Sequence, residues 1–138
     1  MSDEEVYLQV PGTPAYISVV RQAIVGIATR MSFSHQDVQD LQLAVGEACN
    51  NAVRHGLNDC IHPVRIRCRI DPDMLCIEVK NHYNGVPPSS SAGSMPEPCQ
   101  YHEGGMGIFL MKTLVDAVDF RWGKGTATVR LTKALRTA

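Results

Sequence analysis

The chain has 138 residues, 44% of them hydrophobic and 20% charged, enough for one compact domain over residues 1–138 and outside the range of disordered chains. A formal net charge of −1, from 13 Lys+Arg against 14 Asp+Glu, argues against a nucleic-acid or anionic-membrane surface. No apolar run reaches the roughly 20 residues of a membrane span, and the acidic start Met1-Ser2-Asp3-Glu4-Glu5 lacks the basic and apolar regions of a signal peptide, so the expected location is cytoplasmic.

Val6, Leu8 and Val10 alternate with Tyr7 and Gln9, which predicts a short strand. Thr13 followed by Pro14 is a helix start, and Ile17, Val20, Ile24, Ile27 and Met31 recur at helical spacing to about Arg30. Ser34, with Asp37 three residues on, opens a second helix as a capping-box variant. Its apolar stripe is Val38, Leu41, Val45, Ala48, Cys49 and Ala52, and Gly56 or Asn58 can end it. Val64, Ile66, Cys68 and Ile70 alternate with Arg65, Arg67 and Arg69, a half-buried strand with a charged face. Asp71-Pro72-Asp73 is turn chemistry, so Met74 to Lys80 returns as the second arm of an antiparallel hairpin.

Residues 85–98 hold four prolines, four serines and two glycines, a composition that packs as neither helix nor strand; a loop of this length in a small domain usually serves function. Gly104-Gly105-Met106-Gly107 then leads into an apolar helix through Ile108, Met111, Leu114 and Val118. Phe120 to Trp122 and Ala127, Val129 and Leu131 form a last hairpin about Gly123-Lys124-Gly125. This order predicts an α+β two-layer sandwich, a mainly antiparallel sheet with helices on one face.

Two groups of residues carry chemistry. Glu47, Asn51 and His55 fall in one sector of the second helix, away from the centre of its apolar stripe. Such a sector is ordinarily a solvated face. A carboxylate that can polarise a hydroxyl, one turn from an amide oxygen that can ligate Mg²⁺, is also a working pair for phosphate chemistry. The glycines at 104–107 open a helix, where unpaired N–H groups and the positive dipole end accept phosphate; their plainer role is a hinge. The five cysteines make no CxxC pair; Cys68 and Cys76 sit at strand positions expected in the core. Cys60, His62, Cys99 and His102 do not match a common zinc spacing, and a metal-dependent hydrolase using His55, Cys60 and His62 is the weakest reading.

Together, Leu43-Ala44-Val45-Gly46-Glu47-Ala48-Cys49-Asn50-Asn51-Ala52-Val53-Arg54-His55-Gly56 resembles the N-box of the gyrase, histidine kinase and mismatch-repair ATPase superfamily, in the form found in the anti-sigma-factor serine protein kinases. Gly105-Met106-Gly107-Ile108-Phe109-Leu110-Met111 resembles the second glycine box, with Asp116 at a familiar position in the helix after it, and Gly125-Thr126 the last short motif. The resemblance implies the histidine-kinase-like ATPase fold, ATP and Mg²⁺ as cofactors, and Glu47 as the general base on a partner's serine. Asn51 would hold Mg²⁺, with Arg54 and His55 near the phosphates. Gly105, Met106, Gly107 and Ile108 would wrap the phosphates, and Thr126 would sit by the adenine. It also implies a sigma factor and a STAS-type anti-anti-sigma protein as partners, and a homodimer.

Two departures stand out. Where the adenine-reading box has D-x-G-x-G, this chain has Asn81-His82-Tyr83-Asn84-Gly85, so a neutral Asn81 and the surviving Gly85 would serve the base. On sequence alone, Asn81→Asp should then tighten ATP binding. From Asn81 to Met111 there is no Lys or Arg, and Arg54 and Lys112 are the nearest in sequence. The alternative reading is a noncatalytic protein-binding module of the same fold with weak or altered nucleotide binding.

Overall fold

The computed structural model describes residues 4–55, 62–82 and 105–136. Strand β1 is Glu4–Val10, helix α1 Ile17–Arg30, helix α2 His35–His55, β2 Val64–Asp71, β3 Met74–His82, helix α3 Gly105–Leu114, β4 Ala117–Gly123 and β5 Thr126–Ala134. The strands form one antiparallel sheet in the order β1-β2-β3-β5-β4. The predicted hairpins are present, and β1 and β4 start earlier than the alternation suggested. The expected helix stop at Gly56 or Asn58 and the loop at 85–98 lie outside the described residues.

Period-two patterning decides which face of the sheet is covered. Val64, Ile66 and Cys68 of β2, Leu75, Ile77 and Val79 of β3, and Val129 and Leu131 of β5 are buried. They meet Val20, Ile24 and Ala28 of α1, Leu41, Val45 and Ala48 of α2, and Ile108 and Met111 of α3 in one core. Each fully buried aliphatic side chain contributes about 1.5–3 kcal/mol, so this layer holds the helices to the sheet. The other face carries a charge ladder across four strands. Arg130 bonds Glu78 at 2.8 Å, Arg67 lies 3.9 Å from Glu78, and Arg67 reaches Glu5 at 2.7 Å. Cys68 belongs to the core as expected; Cys76 is buried too, but its parity is that of Glu78, on the ladder side.

Ser34 caps α2 through a 3.1 Å bond from the Asp37 N–H to its Oγ, as the capping signature implies. Thr13 makes no such bond; Pro14–Tyr16 form a short 3-10 turn ahead of α1. Asp116 lies beyond the end of α3, where the Ala134 N–H and Arg136 bind its carboxylate at 2.7 and 2.9 Å.

One buried cation fixes how the layers run. Lys133 of β5 faces the core at 6% exposure, and its ammonium donates to the Leu114 carbonyl at 2.7 Å and sits 3.6 Å from Asp37. The C-terminus of α3 is thereby tied to the first turn of α2, and both to the end of β5 that pairs with Leu75.

Candidate nucleotide site

From that tie, geometry carries the predicted residues to the opposite end of the sandwich. Asn51 lies 14 residues beyond Asp37, about 21 Å along a helix. Asn81 lies six residues beyond Leu75, roughly 20 Å along a strand. Helix α2 packs against β2, β3 and β5, and β3 and β5 carry Asn81 and Thr126 at the end away from Lys133. Thr126 pairs directly with His82, and Ala127 with Asn81, so the Gly125-Thr126 segment adjoins the strand that carries Asn81 in register. The rings of His62 and His82 meet edge to face at 4.9 Å at this same end.

Helix α3 runs antiparallel to α2, because its C-terminal residue Leu114 lies by Asp37 while its first turn meets Glu47. A Cβ on Gly107 would stand 2.7 Å from Glu47 Oε1 and 3.5 Å from Glu47 Cδ. Any side chain at 107 would occupy the carboxylate's place. Gly105 and Gly107 fall in the first turn of α3, whose N–H groups have no intrahelical carbonyl to bind. Glu47 and Gly107, 60 residues apart in the chain, therefore stand against each other.

Glu47 is part-buried, and Asn50 Nδ2 donates to its Oε2 at 3.3 Å. That bond steadies one carboxylate oxygen and leaves Oε1 toward Gly107. Asn50 escaped the sequence reading, although its spacing of three from Glu47 was a usable signal. Asn51 is part-buried and Arg54 exposed on the same helix; the side chains of His55 and Met106, like all of Gly85 and Tyr83, lie outside the described residues. Ile108 is buried at 3% and anchors the first turn of α3 in the core. Behind the site, burial pushes the Cys49 thiol up to about 12, so it stays a neutral core group.

Asn81 is 8% exposed, and its Nδ2 donates to the His82 carbonyl at 2.9 Å. Its Oδ1 is thus the atom left to accept a hydrogen bond. Arg21 of α1 was also missed: its Cδ lies 3.3 Å from where a Cβ on Gly46 would stand, and its buried Nε has no hydrogen-bond partner among the described residues. Of the four residues weighed for zinc, Cys60, Cys99 and His102 lie outside the described residues. Among the described residues no group of three His, Cys, Asp or Glu converges as metal ligands. A single amide oxygen such as that of Asn51 nevertheless suits Mg²⁺, which takes one or two protein oxygens and completes its shell with phosphate and water.

Comparison with known proteins identifies the family and the fold. The family model of the histidine kinase-like ATPase domain matches residues 10–133. A serine-protein kinase named RsbW from Bacillus licheniformis is 35% identical over 135 residues, covering 91% of this chain and 82% of its own. The RsbW of Bacillus velezensis is 33% identical over 141 residues, 97% of this chain and 88% of its own. The crystal structure of the RsbU and RsbW domains of a Mycobacterium tuberculosis protein superposes with a TM-score of 0.72 at 17% identity, over 98% of this chain and 34% of that one. At that identity the likeness speaks for the fold.

Proposed function

The chain belongs to the histidine kinase-like ATPase family, beside the RsbW serine-protein kinases, and from that premise we propose that it is a single-domain, ATP- and Mg²⁺-dependent serine protein kinase acting as an anti-sigma factor. Its protein substrate is a STAS-type anti-anti-sigma partner, its second partner a sigma factor, and its working form a cytoplasmic homodimer. No helix among the described residues is long and apolar enough to cross a membrane.

The observation that carries this reading is the closeness of Glu47 to the first turn of α3. Phosphoryl transfer needs little covalent help from a protein; it needs positioning and a proton acceptor at the attacking oxygen. Glu47 Oε1 supplies the acceptor. A serine hydroxyl placed against it would lose its proton to Oε1 as its oxygen attacks the γ-phosphorus of ATP held over the N–H groups of Gly105 to Ile108, while the bond from that phosphorus to the bridging oxygen breaks and ADP leaves. Asn50 keeps Oε2 engaged, so the carboxylate does not swing away. Asn51 would hold Mg²⁺, which neutralises phosphate charge when bound, with Arg54 and His55 alongside. Asn81 Oδ1 would accept from the adenine amino group, with Thr126 and Gly85 beside the base.

The test is transfer of labelled phosphate from ATP to a purified STAS-type partner. Glu47→Gln is expected to cut transfer by roughly a hundredfold or more, as loss of a general base does, while ATP affinity stays within about threefold. Undiminished transfer would remove Glu47 from the mechanism. The second reading, a noncatalytic module, draws on the neutral Asn81 and on the stretch from Asn81 to Met111 without Lys or Arg. It is recognised by partner binding with no transfer even at saturating ATP.

A further inference from the structure

The sheet face turned away from the helices carries its charges in rows, because residues paired across the strands share a side. In one row Arg67 and Arg130 flank Glu78, and Arg130 also pairs across to Asp119, so each carboxylate has an arginine beside it. The next row, toward the His82 end, reads Gln9, Arg65, Lys80, Thr128 and Arg121 from β1 across to β4. It holds three cations and no carboxylate. Arg65, Lys80 and Arg121 are all exposed, and among the described residues none of them makes an ion pair. Arg65 and Lys80 stand directly opposite each other, a like-charge arrangement that weakens a strand pair. Arg65 turns instead to Gln9, its Nε donating to Oε1 at 3.1 Å. A groove of about 500 Å³ opens along the same row, with Tyr7, Gln9, Arg65 and Lys80 in its lining.

We propose that this row docks an acidic segment of a protein partner, with carboxylates along one side of the segment meeting Arg65, Lys80 and Arg121. Neighbouring strands lie about 4.8 Å apart, so Arg65 stands one strand from Lys80 and Arg121 two strands beyond it, roughly 14 Å from end to end. In an extended peptide, side chains on one side recur about every 6.8 Å, so acidic residues at alternate positions cover that span with three carboxylates. Charge complementarity decides the occupant. Uncompensated cations repel one another in the free chain, and an acidic segment relieves that repulsion on binding. A second copy of this chain is the poorer occupant, because on this face Glu5, Glu78 and Asp119 already face arginines. A nucleic acid is poorer too, since Glu78 and Asp119 lie one row away and the chain has a net charge of −1. Glu47 and Gly107 belong to the helix layer, on the other side of the sheet, so a docked segment leaves them uncovered and its binding should be indifferent to ATP. The dock does not depend on the kinase reading.

The experiment follows the fluorescence anisotropy of a labelled peptide of about eight residues, glutamate alternating with serine, added to the full chain. The native chain should bind it, and the same peptide with glutamine for glutamate should not bind. Lys80→Glu/Arg121→Glu is expected to weaken binding by about tenfold or more, and Lys80→Gln/Arg121→Gln by less. Both side chains stand in solvent, so circular dichroism should be unchanged. Arg30→Glu/Lys112→Glu alters the net charge equally from exposed positions on the helix layer, and binding there should stay within about twofold. Equal loss in the two reversed variants overturns the dock, since general repulsion by a more acidic chain would account for it. So does failure of the native chain to bind the acidic peptide. Tighter binding of a single-stranded oligonucleotide, lost in Lys80→Glu/Arg121→Glu, would overturn it in favour of nucleic acid. A dimer that becomes a monomer in sedimentation of that variant, with peptide affinity unmoved, would make the face an interface between copies instead.

Discussion

The Oε1 oxygen of Glu47 occupies the space that a Cβ on Gly107 would need, 2.7 Å away. Two residues from different helices are thus mutually dependent: the carboxylate stands where it does because position 107 has no side chain. Gly107→Ala should leave the fold intact, since the displaced atom is the end of a flexible side chain and alanine favours helix by up to about 1 kcal/mol. The N–H of residue 107 also survives, so ATP binding should change little. Phosphate transfer should fall by roughly ten- to a hundredfold, the cost of misplacing a reacting group by about an ångström. Transfer at the native rate would mean that Glu47 does not act from this position.

Asn51→Ala should weaken ATP binding in the presence of Mg²⁺ by about ten- to a hundredfold, the worth of one hydrogen-bonding or ligating group on a charged partner. Without Mg²⁺ the difference should nearly vanish. Titration calorimetry with and without the metal checks both arms, and an equal loss in both would make Asn51 a packing residue.

For Asn81 the structure reverses the expectation drawn from sequence. Aspartate would add charge toward an adenine amino group, but it would also replace the donor that now bonds the His82 carbonyl at 2.9 Å. In a site only 8% exposed, an oxygen would then face an oxygen. Asn81→Asp should destabilise the fold by about 1–3 kcal/mol, the usual cost of a buried group left without a partner, and should not tighten ATP binding. Urea unfolding and ATP titration of the variant decide the sign.

Asp116 links the end of α3 to β5. The Ala134 N–H and the Arg136 guanidinium hold its carboxyl below the usual carboxylate range. A folded value lower than the unfolded one contributes stability above the unfolded pKa and loses it as pH falls through the folded value. Asp116→Asn should therefore be less stable than the native chain near pH 7, with a gap that closes toward about pH 3. Urea unfolding at both pH values tests this; a gap constant with pH would mean the charge is not responsible.

Local chemistry explains how much was legible in advance. The alternation at Val64 to Ile70 and the Ser34–Asp37 spacing each report a short-range rule, and each appears where it was expected. The glycines at 105–107 read as a helix opening, which they are. What depended on chain segments meeting was not legible. Nothing in the sequence says that β5 inserts beside β3, that Lys133 at an inward strand position will find Leu114 and Asp37, or that Arg21 will lie across Gly46. Thr13 shows the converse: a good local cap signal goes unused where a 3-10 turn leads into α1.

The strand order has a consequence for how the chain is made. In β1-β2-β3-β5-β4, the last strand in sequence is an interior one, bonded to β3 on one side and β4 on the other. During synthesis β3 keeps an open hydrogen-bonding edge, and β4 lacks any partner, until Thr126–Ala134 emerge. Long-range pairings of this kind are slow to form and leave strand edges available to neighbours on the same ribosome array. A chain terminated before Thr126 does not lose an ornament from the rim of the sheet; it is left with β3 as a raw edge and β4 detached. For this topology, emergence of Thr126–Ala134 is the condition for the sheet to close.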